Sequence, residues 1–430
     1  MLMASTGALA LSACGGGSGG SSSDSSTAAV ANKQKKAATP SASGTTIPPA
    51  ASIIDASGNT WTVKNGVVYS NGSLAGYSAN VTLLLWFGGN MYAEASDNSF
   101  WKWTGSAWAP SADPRVTAPA STSLFYGMNG HMAYNSGIYE TMSAAAQLAL
   151  LQDLGVTNYR ADVASGGMAQ VLATALTGAF AGSGVSILPV LNPESAGWSM
   201  TLTESAAYTL GYDLGVAVAT PLKGLVKYIE CGNELDVPLQ IAGNGSLPND
   251  WSPSGWPAFR GVIRGMIDGV KAIDSTIQCG VNVGIPMAYG ALQMLWNGVS
   301  PNGTATGVSG AEVLQWDFTS YHWYLSSGDI QCGWNNNSCV NVLEVLASSF
   351  GKPIWLTEWG WSGASDTPAQ AAAYVTTALT EYLSVKDTYN IQSVMMYALI
   401  DPDYGLIQED GVTKNPAYAG FKDFVAANPV

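Results

Sequence analysis

The run Lys227-Tyr228-Ile229-Glu230-Cys231-Gly232-Asn233-Glu234-Leu235-Asp236 decides how the chain is read. Val226 to Ile229 is β-branched and aromatic, the pattern of a buried strand, and that strand delivers Asn233-Glu234 at its end. A second apolar run, Pro353-Ile354-Trp355-Leu356-Thr357-Glu358-Trp359-Gly360-Trp361, ends the same way on Glu358. Carboxylates carried on apolar strands are costly to bury unless a pocket uses them. One Asn-Glu dipeptide is a weak signal. Two acids at two strand ends are a stronger one.

Outward from these runs, the sequence from about Ser121 alternates apolar runs of strand length with Ala-rich helical segments. Strands are predicted at 124–129, 158–163, 186–191, 226–231, 277–283, 315–324, 354–357 and 393–400, with helices at 144–154, 168–181, 259–273, 370–383 and 417–427. Eight strands alternating with helices over ~300 residues predict an α/β fold, a (β/α)8 TIM barrel over 118–430, with its chemistry where the strands end. Ahead of it, 51–117 holds Trp61, Trp86, Trp101, Trp103 and Trp108 between the turn signals Asn65-Gly66, Asn71-Gly72 and Gly88-Gly89. That pattern predicts a small all-β, hairpin-rich domain. Its tryptophans read first as core, and second as a platform for sugar rings.

Polar residues gather at the same strand ends. They are Asn129-Gly130-His131, Arg160 and Asp162, Asn192, Asn282, His322 and Tyr324 in Ser-Tyr-His-Trp-Tyr, and Tyr397. His322 and Tyr324 are two apart on a strand and share a face. Arg160 alone could simply neutralise Asp162. The collection at so many strand ends is harder to explain by packing.

With Asn233-Glu234 on the fourth strand and Glu358 on the seventh, this set resembles the clan of retaining (β/α)8 glycoside hydrolases, clan A. The closing run Tyr397-Ala-Leu-Ile-Asp-Pro-Asp-Tyr-Gly-Leu-Ile407, with Asp410-Gly and Lys414-Asn-Pro-Ala, is most similar to family 39 and its bacterial exopolysaccharide-degrading relatives. His322-Trp-Tyr324 is similar to the sixth-strand motif of family 5. The resemblance covers roughly 121–428, and implies a glycosidase acting on the O-glycosidic bonds of a polysaccharide, with a bacterial exopolysaccharide or other β-glycan as substrate. One position departs: many clan members carry Trp where this chain has Tyr397.

Retaining hydrolysis needs one ionised carboxylate to attack and one protonated carboxyl to donate, about 5–5.5 Å apart. Glu358 is expected to be the nucleophile, held ionised by Arg160 and Tyr324. Glu234 is expected to be the acid/base, its pKa raised by burial and the neighbouring charge. Asn233 would bond the sugar 2-hydroxyl. His131, Asn192, His322, Tyr397 and Trp359 are candidate sugar contacts, as are Trp198, Trp323, Trp334 and Trp361. No Gly-x-Ser-x-Gly elbow points to an esterase or peptidase. A carbohydrate-binding lipoprotein that kept the barrel and lost turnover is the alternative.

The chain has 430 residues and a formal charge of −14, which argues against nucleic acid as a partner. Only two histidines are present and no Cys/His spacing suits zinc, so no metal or cofactor is expected. Leu11-Ser12-Ala13-Cys14 resembles a bacterial lipobox, with Cys14 the lipidation site and residues 1–14 a signal segment. No Lys or Arg precedes Lys33, so either the true start lies upstream or the match is accidental, and the Gly/Ser tract that follows favours the first. The Gly/Ser-rich stretch 15–50 reads as a flexible tether, so the protein is expected to be exported, as an outer-membrane or cell-surface lipoprotein or otherwise secreted, and it is expected to be a monomer. Cys332 and Cys339 bracket a turn-rich loop and are a plausible disulfide in an exported protein. Cys231 and Cys279 are read as buried thiols or as a second pair.

Overall fold

A computed structural model describes residues 39–430 apart from 43, 97–98, 112–113, 115–122, 135 and 336–337. Cys14, the 1–14 segment and most of the 15–50 stretch lie outside the described residues. The chain divides into two compact units, Met1–Thr117 and Ala118–Val430.

The first unit carries two antiparallel sheets. One contains five strands, in the order Thr45–Ile47, Val81–Phe87, Asn90–Ala95, Phe100–Trp103 and Trp108–Ser111. The other is a meander of Ile53–Ile54, Thr60–Lys64, Val67–Ser70 and Ser73–Leu74. Asn65-Gly66 and Asn71-Gly72 each hold two consecutive positive φ angles, 51° and 73° and then 50° and 81°. Both are the hairpin turns their sequences predict. Ile53, Trp61, Val68, Leu84, Trp86, Met91 and Ala93 form the shared core. The tether boundary is corrected: Thr45-Thr46-Ile47 lies inside the 15–50 stretch yet forms a strand, because a β-branched triplet pairs against Leu84–Trp86.

The second unit is a closed barrel of eight parallel strands. In chain order these are Tyr126–Asn129, Asn158–Val163, Ser186–Leu191, Tyr228–Cys231, Gln278–Val281, Phe318–Tyr324, Ile354–Gly360 and Ile391–Met396. Helix boundaries follow the local sequence. Ser143 caps Ala144–Leu154, which stops at Gly155 with φ 73°. Thr367 and Gln370 form a capping box on Pro368–Tyr389, which ends on left-handed Asn390.

The lower interior is closed by Leu188, Phe318, Trp355 and Met395. Those large side chains need room, and the backbone supplies it at Gly280, where a Cβ would fall 2.3 Å from the Phe318 ring. Cys332 and Cys339 are joined by a disulfide, while Cys231 and Cys279 are buried free thiols. No helix among the described residues is long and apolar enough to cross a membrane.

Candidate active site

The upper interior is organised by one buried cation. Arg160, on the second barrel strand, is 2 % exposed. Its Nε donates to Glu230 at 2.5 Å, Nη1 to Glu358 at 2.6 Å and to Asn129 at 2.9 Å, and Nη2 to Asn233 at 2.7 Å. Burial by itself disfavours the guanidinium, but the charges of Glu230 and Glu358 outweigh it and hold it ionised. Arg160 does not simply neutralise Asp162. The Asp162 carboxylate pairs with His131 Nδ1 at 3.1 Å, and His131 Nε2 reaches the Tyr397 hydroxyl at 3.3 Å.

Glu358 faces inward because the seventh strand is irregular. Side chains alternate along a strand, so Thr357 and Glu358 should point to opposite faces. Register shifts fall between Tyr321 and His322 on one neighbour and between Leu356 and Trp359 on the other. Both residues therefore turn inward: the Thr357 hydroxyl donates to Glu230 at 2.7 Å, while Glu358 meets Arg160. The second Glu358 oxygen accepts from the Tyr324 hydroxyl at 2.7 Å. Both oxygens of the carboxylate are thus held by donors from the barrel interior.

Trp359 follows and faces outward, which corrects its place among the sugar contacts. Its ring is fully buried against Tyr374 and Tyr382 of helix Pro368–Tyr389. Trp323, between His322 and Tyr324, faces outward by the same alternation, and its indole N–H donates to Gly328. Trp198 and Trp361 are core as well, their N–H groups donating to Ala258 and Asp403. Trp334 has no described side chain.

Glu234 sits beyond the fourth strand with φ +51°, a left-handed conformation uncommon for a residue with a side chain. Asn282 holds the turn, accepting from Glu234 N at 2.8 Å and donating to the Gly232 carbonyl at 2.6 Å. Gly284 leaves the space: a Cβ there would lie 2.5 Å from the Glu234 carboxyl. Asp236 is buried and accepts from the N–H groups of Gly284 and Ile285 at 2.9 and 3.1 Å, tying the same two loops together. Burial raises its carboxyl to about 6, against those bonds and with help from the Glu234 charge.

His322 Nδ1 lies 2.8 Å from Glu234 Oε1 and 3.6 Å from Glu358 Oε2. This overturns the expected direction for Glu234. Burial pushes its carboxyl up, but the His322 hydrogen bond and charge outweigh burial and hold it below the usual glutamate value. The imidazole moves the other way: burial would lower it, but Glu358 and Glu234 raise it. One atom each from Glu234, His322 and Glu358 lie within 4.8 Å of one another, a spacing that a cation could use. The same Glu358 carboxylate already holds the Arg160 guanidinium, whose charge opposes a metal there.

Asn192 closes the third strand at the rim, where its Oδ1 accepts from Ser195 N and its side chain meets the Tyr134 hydroxyl. Tyr404 packs edge-on to both Tyr324 and Tyr397, at 5.7 Å from each, and completes an aromatic wall that sequence reasoning missed. Glu230 was also missed, although it was legible: an acid inside an apolar strand, two residues before Gly232, faces the same interior as the buried arginine. Asp236 and Gly284 gave no local signal.

Residues 308–410 match the family model described as the glycosyl hydrolase catalytic core. No curated protein matches the chain. Among solved structures it is similar to the virulence factor SghA of Agrobacterium tumefaciens, with 13% identity over 72% of this chain and 98% of that one and a TM-score of 0.51. A family 39 glycoside hydrolase from the gut symbiont Bacteroides cellulosilyticus WH2 aligns with 15% identity over 86% and 75% of the two chains, TM-score 0.51. A β-glucosidase of Thermotoga maritima aligns with 10% identity over 72% and 98%, TM-score 0.50. At such identities these likenesses carry the barrel and not its substrate. With the matched catalytic core, a buried carboxylate on the seventh strand and a half-buried one just beyond the fourth, the protein is a glycosidase.

Proposed function

We propose that the protein is a retaining glycoside hydrolase that cuts a polysaccharide by double displacement. The observation that carries this reading is the spacing of Glu234 and Glu358, whose nearest ligand-type oxygens lie within 4.8 Å. It suits direct attack by one carboxylate better than a site holding a water between the two, which needs about 6.5–9.5 Å.

A Glu358 oxygen attacks the anomeric carbon as the bond to the leaving oxygen breaks, and Glu234 gives that oxygen a proton. The product is a glycosyl ester of Glu358. Water then attacks the same carbon, Glu234 takes its proton, and Glu358 leaves as carboxylate. Esterification removes one of the negative charges on Arg160, and Glu230 keeps the guanidinium paired throughout. The low carboxyl of Glu234 does not prevent its acid role, because the pair it forms with His322 holds the proton across a 2.8 Å hydrogen bond. Asn233, oriented by Arg160, would meet a hydroxyl beside the reacting carbon.

The first-formed product of a β-glycan, followed by 1H NMR, is expected to be the β anomer. An α anomer appearing first would sink the mechanism. We also propose that Cys14 is acylated and anchors the enzyme at the cell surface. Cys14→Ser should move the protein from the membrane to the soluble fraction, and a native protein already found soluble would contradict this.

A further inference from the structure

The β module has a feature that its own packing does not require. On the face of the five-stranded sheet that carries the module core, strand Asn90–Ala95 steps down from Met91 to Ala93 and Ala95. Where a sandwich would be filled with large side chains, these alanines and Ala107 leave a groove of about 540 Å3. That size falls in the range of small-molecule sites, roughly 300–1,000 Å3. Tyr77, Trp101 and Trp108 wall it, and Ser78, Asn80 and Ser96 supply hydroxyl and amide groups.

The tryptophans of the module fall into two classes. Trp61 and Trp86 are buried, and Trp103 and Trp108 pack with Trp61 at 5.6 and 6.4 Å and with each other at 5.2 Å. Trp101 does not join them: it is 36% exposed, and its indole N–H is held by the Ser99 hydroxyl at 3.1 Å. Tyr77 is 91% exposed, an unusual position for a phenol that lines a cavity. Ser96 N donates to the Asn80 carbonyl at 2.9 Å and ties the rim.

We propose that this groove binds a neutral sugar ring of a glycan, against the faces of Tyr77 and Trp101. A pyranose has an apolar C–H face and a hydroxyl-bearing edge, which matches flat aromatic walls with an uncharged polar rim. Among the described residues no Asp, Glu, Lys or Arg lines the groove, a lining that suits an uncharged ligand. The proposal rests on the barrel's reading as a polysaccharide hydrolase, for which the groove would hold substrate.

The test is affinity electrophoresis of the full chain in gels containing mixed-linkage β-glucan, curdlan, xylan or dextran, with hydrolysis stopped by Glu358→Gln. Adding Tyr77→Ala and Trp101→Ala should weaken retardation about tenfold or more. In the active enzyme the same two changes should leave the hydrolysis of a short aryl glycoside unaltered. Tyr77→Ala alone, at an exposed position, keeps the test readable if the double variant folds poorly. Retardation that is absent in all four gels, or equal with and without the two rings, would overturn the proposal. So would hydrogen-exchange protection of residues 77–81 that no glycan changes, which would assign the groove to a segment of the chain itself. A parent enzyme inert on aryl glycosides, but with retardation that depends on Tyr77 and Trp101, would sink the glycosidase reading and leave the groove standing.

Discussion

The lower and upper halves of the barrel interior are built from the same strands, two residues apart, yet they are opposite environments. Leu188, Tyr228, Phe318, Trp355 and Met395 fill the lower half, with the Phe318 and Trp355 rings 4.6 Å apart. Two positions further on, Tyr228 gives way to Glu230 and Trp355 to Thr357, and the interior becomes a closed hydrogen-bond network around Arg160. Below, only shape has to match. Above, each buried charge has to find its partner, because a low-dielectric interior penalises the unpaired ion. The close-packed apolar layer is the floor on which the upper half holds its two carboxylates.

Changes to the upper network should break the comparison most. Arg160→Met leaves Glu230 and Glu358 buried without a cation, and should cost about 3–5 kcal/mol of stability and nearly all activity. Pairing it with Glu230→Met should restore much of the stability and none of the activity, as read by melting temperature and initial rates. Equal recovery of both would mean that Arg160 serves the fold alone. In the lower half, Trp355→Ala should also cost about 3–5 kcal/mol through the cavity it leaves. The rate per folded molecule should stay near the parent value. A large drop there would show that the base positions the carboxylates more directly than packing suggests.

Gly284→Ala is a smaller and sharper test. Its methyl would meet the Glu234 carboxyl, so kcat/KM should fall roughly 10- to 100-fold with little change in melting temperature. The smallest effect concerns pH. With Glu234 as the acid/base, the reaction would need a proton on the His322–Glu234 pair, and the imidazole is raised above its ordinary value of 6.5. The basic limb of kcat/KM should therefore lie above pH 6.5, with the proton lost as pH rises through the raised value. His322→Asn removes the base that shares this proton and should shift the limb. An unchanged limb would put the titrating group elsewhere.

The two halves also differ in how much the sequence reveals. Apolar periodicity locates all eight strands, and the two Glu-ending runs mark the fourth and seventh. Alternation also assigns His322 and Tyr324 correctly to one face. It fails at Thr357-Glu358-Trp359, where the register shift turns two successive side chains inward and sends the tryptophan out. Such a shift depends on both neighbouring strands and leaves no local mark. The direction of the Glu234 shift was hidden for a related reason. Burial can be guessed from a strand end, but a histidine 88 residues away in sequence, bonded at 2.8 Å, outweighs it. In the β module, composition pointed to the tryptophans as a group, and only the fold separates Trp101 from its buried neighbours and brings Tyr77 beside the same groove.

The division of roles between the two acids is the central claim, and azide rescue tests it most directly. Glu358→Ala and Glu234→Ala should each lower activity on an activated aryl β-glycoside by roughly 10³-fold or more, and azide should restore part of it in both. The Glu358 variant should release the inverted, α-configured glycosyl azide, since azide replaces the missing nucleophile. The Glu234 variant should release the retained β-azide, formed by azide attack on the Glu358 ester. The reverse pattern would exchange the two roles, and wild-type activity in either variant would contradict the assignment of that carboxylate to catalysis.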